Sequence, residues 1–262
     1  NFRYPFLSQI HLHYLKIHAH LGLVGWFVIL IVGVSSSLIP MFLISHSPNE
    51  DKLNYAYYLI NGGLLLLGLD WLVLQGTMLI PVYWLSISLG IIFYLMFVWE
   101  VYKKRLRKEL DIGMKHTLIS VLSMLLPILL SLTVMLKLDF ENSFQLRATT
   151  LYGFSIIFGL ITPIILSQTY KTLPFIVWLH KYKQLVGKFK TPLPKELYSE
   201  WVATLQFYSY NLAVIVLILA ITSNNIWMIR LGSCFLLITA VLYNLNVFKI
   251  IFHKVKTESI ST

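Results

Sequence analysis

Long apolar stretches alternate with short polar connectors along the whole chain. Seven of them are long enough to cross a bilayer, which takes about 20 apolar residues in a helix. Because backbone groups in lipid must bond within the protein, helices and closed barrels are the two structures that span membranes. The stretches lack the apolar and polar alternation of a barrel. The pattern predicts an all-α, polytopic transmembrane helical bundle in a single domain over residues 1–262, with spans at residues 18–44, 55–75, 78–102, 116–137, 148–170, 202–222 and 226–252.

Composition points to the same class of protein. Hydrophobic residues make up 57% of the chain and charged residues 12%, and the mean hydropathy is +0.74. Soluble domains carry about 25% charged residues. We therefore expect an integral membrane protein whose main partner is the lipid bilayer.

Lysine and arginine concentrate in three parts of the chain. Fifteen of the 21 basic residues follow the third, fifth and seventh predicted spans. Positively charged connectors stay on the cytoplasmic side of a membrane, which predicts an amino end outside and a carboxyl end in the cytoplasm. The net charge of +10 then reflects a surface that faces anionic lipid headgroups, and it requires no nucleic acid partner.

The connector between the fifth and sixth spans combines lysines with aromatic residues. Pro174 is expected to break or kink the helix there. We expect residues 171–198 to form a cytoplasmic, basic, amphipathic connector on the membrane surface. Because the first residue is Asn, a further expectation is that the chain is the carboxyl-terminal part of a longer protein.

Two histidines, His18 and His20, open the first span. Residues two apart on an α-helix differ by about 200° of rotation, so the two imidazoles face nearly opposite directions and suit two metal groups, one on each face. By the same rotation Gly22 and Gly25 lie within about 40° of the His18 face, where they leave a strip without side chains for a flat heme. Neutral imidazole is the commonest metal ligand. The alternative is a pair of polar residues at the membrane interface.

Few ionisable side chains lie within the predicted spans, where such residues are functional candidates by default. Asp70 in the second span and Arg230 in the seventh lie at similar depth near the outer side. They are candidates for a structural ion pair. Alternatively, Arg230 and Arg147 hold the propionates of a heme that the histidines bind.

Further candidates lie near the ends of the spans. Glu100 and His116, at inner ends, form either a proton-uptake pair or two interfacial residues that face water or headgroups. His11 and His13 form a second His-x-His motif outside the membrane, a weak copper or zinc candidate because no cysteine or acidic partner is nearby. The single cysteine, Cys234, allows no disulfide framework.

The run HAHLGLVGW from His18 to Trp26, with the LIPMF run that ends at Phe42, resembles the helix of heme-copper oxidase catalytic subunits that carries two heme ligands. It is most similar to the C-type cytochrome c oxidases. The resemblance implies that His18 binds a high-spin heme and His20 a low-spin heme, hence one or two heme b groups, in a bacterial inner membrane. The rest of the chain is similar to bacterial membrane proteins described as oxidase-subunit-like.

The chain also departs from that family. The copper-binding helix, with its histidine and cross-linked tyrosine, has no counterpart in the second to seventh spans. Copper is therefore not expected in this chain, and neither is a complete oxygen-reducing centre.

Three functions follow as alternatives. The leading hypothesis is a heme-binding redox membrane protein that diverged from the oxidase subunit and serves electron transfer or gas sensing. The second is a non-enzymatic structural or assembly subunit of a larger membrane complex, beside other membrane subunits or a preceding helical half. The third is a transporter, which would use a polar site at the middle of the bilayer.

Overall fold

A computed structural model describes residues 11–46, 49–74, 79–135, 142–255 and 258–259. Nearly all of these residues are helical. Two π-helical segments, Leu21–Val28 and Ser155–Ile161, interrupt otherwise α-helical stretches. The α-helices are α1 (His11–His20), α2 (Ile29–Leu43), α3 (Asp51–Leu72), α4 (Ile80–Lys103), α5 (Ile112–Leu122), α6 (Leu125–Met135), α7 (Asn142–Phe154), α8 (Thr162–Tyr182), α9 (Glu200–Ser223) and α10 (Ile226–Ile251).

Six helical stretches among the described residues are long and apolar enough to cross a membrane. The prediction of an all-α, polytopic helical bundle is therefore confirmed. The second predicted span is the helix α3, which has 22 residues but carries three tyrosines, two asparagines and Asp70, and is too polar to join the six. The six stretches are Tyr14–Leu43, Ile80–Lys103, Ile112–Thr133, Ser143–Leu185, Glu200–Ser223 and Ile226–Ile251.

The helices group into two compact units, Asn1–Glu109 and Leu110–Thr262. The first unit contains α1 to α4 and the second contains α5 to α10. Each unit is described by itself. The prediction of a single domain over the whole chain stays a prediction.

In the first unit, α3 and α4 pack closely because each offers a glycine to the other. A Cβ atom at Gly63 would lie 2.6 Å from Cγ1 of Ile87, and a Cβ at Gly90 would lie 2.7 Å from Cγ1 of Ile60. Glycines let helix backbones in membranes approach closely, which favours van der Waals packing. The pair α3 and α4 thus forms the scaffold of this unit.

The end of the first span meets the end of α4. The backbone nitrogen atoms of Leu106 and Arg107 donate hydrogen bonds to the carbonyl oxygens of Ile44 and Leu43, each over 3.3 Å. At this end Glu100 also accepts from Lys52 over 2.5 Å and from Lys104 over 2.7 Å. The connector after the first span and the connector after α4 therefore lie at one end of the unit, as the predicted topology requires.

In the second unit, α5 packs on α8 and α9 packs on α10. Asp111 caps α5 by accepting from the backbone nitrogen of Met114 over 2.9 Å, and it also pairs with Lys171 of α8. Gly232 of α10 faces Leu217 of α9, where a Cβ would lie 2.6 Å from the leucine Cγ. The amide of Asn246 bonds both backbone groups of Ser199, which joins α10 to the start of α9.

The predicted connector at residues 171–198 has a different local structure. Helix α8 continues through Pro174 and ends at Tyr182, so the helix does not break at this proline, and the alternative of a kink stays a prediction. Membrane helices tolerate proline because neighbouring groups can satisfy the freed carbonyl. Short 3-10 turns follow at Lys183–Leu185 and Pro194–Leu197, and the strand β1 (Phe189–Lys190) pairs antiparallel with β2 (Glu258–Ser259).

We expect Gly63→Ala to destabilise the first unit, because the added Cβ would also lie 3.0 Å from the carbonyl oxygen of Tyr83. Overpacking of this kind costs about 1–3 kcal/mol. The adjacent Gly62 is the matched control, since a Cβ there meets no atom within 4 Å. Thermal unfolding of both variants in detergent should show a lower midpoint for Gly63→Ala and an unchanged or higher one for Gly62→Ala. Equal midpoints would contradict the close approach of α3 and α4.

Candidate functional site at the start of the first span

The two candidate heme ligands lie in the last turn of α1, just before the chain enters a π-helical segment. His18 is exposed and His20 is half-buried. The π-helix begins at Leu21, directly after His20, and the α-helix resumes at Ile29. Bulges of π-helix are rare and are frequent at functional sites. The site therefore sits at a local change in helix geometry that the sequence did not reveal.

The ring of His20 is held by its own helix. Its Nδ1 atom lies 2.8 Å from the carbonyl oxygen of Lys16, one turn earlier. A carbonyl oxygen accepts, so Nδ1 carries the proton and donates, and the lone pair of the neutral ring is on Nε2. Histidines that bind metals almost always donate their other ring N–H to a carbonyl, a carboxylate or water. His20 therefore has the tautomer that suits ligation through Nε2.

The predicted glycine strip beside His18 lies in a segment whose helix type differs from the one assumed in the prediction, and the strip stays a prediction. The prediction used about 100° of rotation per residue throughout, but Gly22 and Gly25 both lie in the π-helical segment, whose wider turn changes the rotation. A Cβ at Gly22 would meet no atom within 4 Å, whereas one at Gly25 would lie 3.4 Å from Cδ1 of Leu64. Gly25 thus faces α3, and Gly22 is the glycine that leaves open space.

Neighbouring helices fix the start of the first span. Ile17 packs with Leu67 of α3 and Tyr83 of α4 in a buried cluster. The indole nitrogen of Trp71 donates to the hydroxyl of Tyr83 over 3.0 Å, and the ammonium of Lys16 lies 5.9 Å from the centre of the Trp71 ring. The residues just before His18 are thus anchored to the scaffold of α3 and α4.

Asp70 is fully buried in the first unit, with 0% of its surface exposed. Neither of its carboxylate oxygens has a hydrogen-bond partner among the residues that the structure describes. The sequence singled out Asp70 because of its charge, but it did not reveal this burial. An isolated buried carboxylate is costly, so the burial of Asp70 lowers the stability of this unit.

The two arginines predicted to hold heme propionates belong to the second unit. Arg147 donates to the hydroxyl of Ser143 over 3.5 Å. Arg230 is exposed, and its guanidinium lies 4.8 Å from the centre of the Trp227 ring. Their role beside the histidines stays a prediction, and so does the pairing of Asp70 with Arg230.

Glu100 and His116 have different surroundings. Glu100 lies between Lys52 and Lys104, so it is an ion-paired residue at the end of α4. His116 is 2% exposed, and its ring meets the rings of Phe207 and Tyr210 edge to face. The prediction of an interfacial His116 in contact with water or headgroups is wrong, because α9 covers its ring. A proton-uptake pair of Glu100 and His116 stays a prediction.

Sequence reasoning missed two buried amides of the second unit, Gln168 and Gln206. Each has a side-chain atom that is buried without a hydrogen-bond partner. The signal was present, since polar side chains inside membrane helices are rare and tend to be functional.

Among the described residues, no three histidine, cysteine, aspartate or glutamate side chains lie close enough together to hold a metal ion. A heme needs a single imidazole, so this finding leaves His20 as a candidate. The side chains of His11 and His13 lie outside the described residues. The expectation that copper is not bound stays a prediction.

The chain matches no protein-family model, no curated protein and no solved structure. The resemblance of the first span to an oxidase helix therefore stays a prediction. The fold and the six membrane-length helices define the class, which is a multi-pass α-helical membrane protein.

We expect Asp70→Asn to raise the free energy of unfolding by about 1–3 kcal/mol, because the amide carries no charge to be buried. Asp51→Asn is the control, since Asp51 is exposed in the first turn of the same helix. Unfolding midpoints in detergent check both. A lower midpoint for Asp70→Asn alone would show that the carboxylate has a stabilising partner.

Proposed function

We propose that the protein binds heme b at the start of its first span, with Nε2 of His20 as an axial ligand. The observation that carries this proposal is the hydrogen bond from His20 Nδ1 to the carbonyl oxygen of Lys16. It fixes the tautomer and limits rotation of the ring, as in metal-binding histidines. The residues present fit one axial ligand.

The surrounding residues have supporting roles in this proposal. The carbonyl of Lys16 orients the imidazole, and the cluster of Ile17, Leu67 and Tyr83 holds the helix turn that carries it. Gly22 leaves open space two residues further along the chain. A bound heme would supply an iron that changes oxidation state or binds a diatomic gas, and the protein would use it in electron transfer or gas sensing.

His18 is the candidate ligand for a second heme. It is exposed, and on the α-helical turn it points away from His20 by about 200°. In this proposal Arg147 and Arg230 are candidates for the propionates, and further membrane subunits or a preceding helical half supply missing ligands. The bilayer is the bacterial inner membrane, with the amino end outside and the carboxyl end in the cytoplasm. The chain is a redox component, not a complete oxygen reductase.

A second candidate function is a non-enzymatic subunit of a larger membrane complex. The observation that favours it is the surface of α10, whose buried residues are Gly232, Thr239, Asn246 and Ile250. The first three have neighbours in α9 or at its start. Most of the helix is therefore available to lipid or to helices of another chain. This function requires no heme, so the same spectrum separates the two candidates.

The heme proposal predicts a Soret band from protein that is purified in detergent from cells supplied with a heme precursor. We expect His20→Ala to lower the heme content per chain by about tenfold or more, since the axial bond is lost. His46→Ala is the control, because His46 is an exposed histidine of the same unit. Oxidised and dithionite-reduced spectra, with pyridine hemochrome quantification, measure the heme content.

Rescue by an added ligand distinguishes loss of ligation from loss of folding. His20→Gly leaves space for a free imidazole, so added imidazole should restore the band in this variant. His18→Ala then reports whether a second heme is present. A wild-type protein without a Soret band, or a His20→Ala variant with an unchanged one, would contradict the proposal and favour the structural subunit.

A further inference from the structure

Three helices of the second unit bury polar side-chain atoms that have no hydrogen-bond partner among the described residues. They include Nε2 of His116 in α5, Oε1 of Gln168 in α8 and Nε2 of Gln206 in α9, and a fourth is the hydroxyl oxygen of Tyr170 in α8. His116 is 2% exposed and Gln206 is 1% exposed. A buried polar group that is left unpaired destabilises the fold. Several unpaired polar atoms in one unit therefore indicate a partner that the protein itself does not supply.

Contacts place His116, Gln168 and two residues close to Gln206 on α9 at one level of the unit. The Nε2 atom of Gln168 donates to the hydroxyl of Thr117 over 2.8 Å, and Thr117 is the residue after His116. The ring of His116 lies 5.1 Å from the ring of Phe207 and 5.3 Å from that of Tyr210, centre to centre. Gln206 precedes Phe207 and is one turn before Tyr210.

Gln206 belongs to the face of α9 that turns into the unit. The buried residues of this helix recur at helical spacing, and Gln206, Tyr210, Ala213 and Leu217 form one stripe. Tyr210 of this stripe contacts His116. The stripe thus directs the amide of Gln206 toward the same interior as the imidazole.

The chemistry of the three atoms is complementary. The amide nitrogen of Gln206 donates, the amide oxygen of Gln168 accepts, and an imidazole nitrogen does either according to its tautomer. The part-buried charges Asp111 and Lys171 pair with each other, and Lys115, which precedes His116, is exposed. A small neutral molecule that both donates and accepts matches this set better than an ion does.

Water is the molecule that this set fits. A buried water makes about three hydrogen bonds to otherwise unsatisfied polar groups. The aromatic rings of Phe207 and Tyr210 lie against the imidazole and restrict the space beside it. We propose that an ordered internal water bridges His116, Gln168 and Gln206 and is an integral part of the second unit.

The bridge would extend an existing chain of hydroxyl groups. The hydroxyl of Thr117 lies 3.0 Å from that of Ser167 and also donates to the carbonyl of Gly113. Gln168 connects this chain to the water. The result is a polar, hydrogen-bonded layer across α5, α8 and α9 within an apolar protein. This layer does not depend on a heme at the first span.

Replacing Gln206 by methionine tests the water through stability. Methionine has a similar length and no polar nitrogen, so the variant removes one partner of the water and weakens its binding. We expect the unfolding midpoint to fall by about 2–4 °C. Without a water, the same change would remove an unpaired buried group and raise the midpoint. The control is Gln145→Met, because Gln145 is exposed on α7.

Radiolytic hydroxyl labelling detects the water directly. Radicals formed from a bound water modify the side chains beside it, so Phe207 or Tyr210 should become labelled although both are buried. We expect that label to fall in Gln206→Met. Phe97, which is fully buried, is the internal control that should stay unlabelled. A higher midpoint for Gln206→Met, or no label on either ring in the wild-type protein, would overturn the proposal.

Discussion

Backbone and side-chain polar groups inside a bilayer have no water to bond with, so each has to find its partner within the protein. Helices meet this requirement for the backbone, and nearly all described residues are helical. Serine and threonine side chains meet it locally. The hydroxyls of Thr117, Ser120 and Thr169, for example, donate to carbonyls one turn earlier on their own helices. The polar groups without such a partner are therefore the informative ones.

Close helix packing positions the first-span site. Gly63 and Gly90 let α3 and α4 approach, and the resulting scaffold presents Leu67, Trp71 and Tyr83 to the start of the first span. Ile17 docks into this surface. Because Ile17 is fixed, the turn that carries His18 and His20 is fixed as well. A helix start that would fray by itself is thus held by tertiary contacts.

The two units differ in the kind of buried polar group that they contain. In the first unit Asp70 stands by itself as a fully buried carboxylate without a hydrogen-bond partner in the described residues. In the second, His116 and two glutamines lie on three helices whose neighbouring hydroxyls already bond one another. A single charge is costly to keep, whereas a network of neutral groups needs one more partner to be satisfied.

The sequence by itself determined the class of this protein and most of its helices, because hydropathy and length are local properties of the chain. It identified His20 and Asp70 from residue type alone. Only the tertiary structure decided that Gly25 faces Leu64, that α8 continues through Pro174, and that His116 is covered by α9. Burial and hydrogen-bond pairing depend on side chains that are distant in sequence, and regular helical periodicity carries no information about a π-helical turn. For that reason the geometry beside the histidines could not be read from residue spacing.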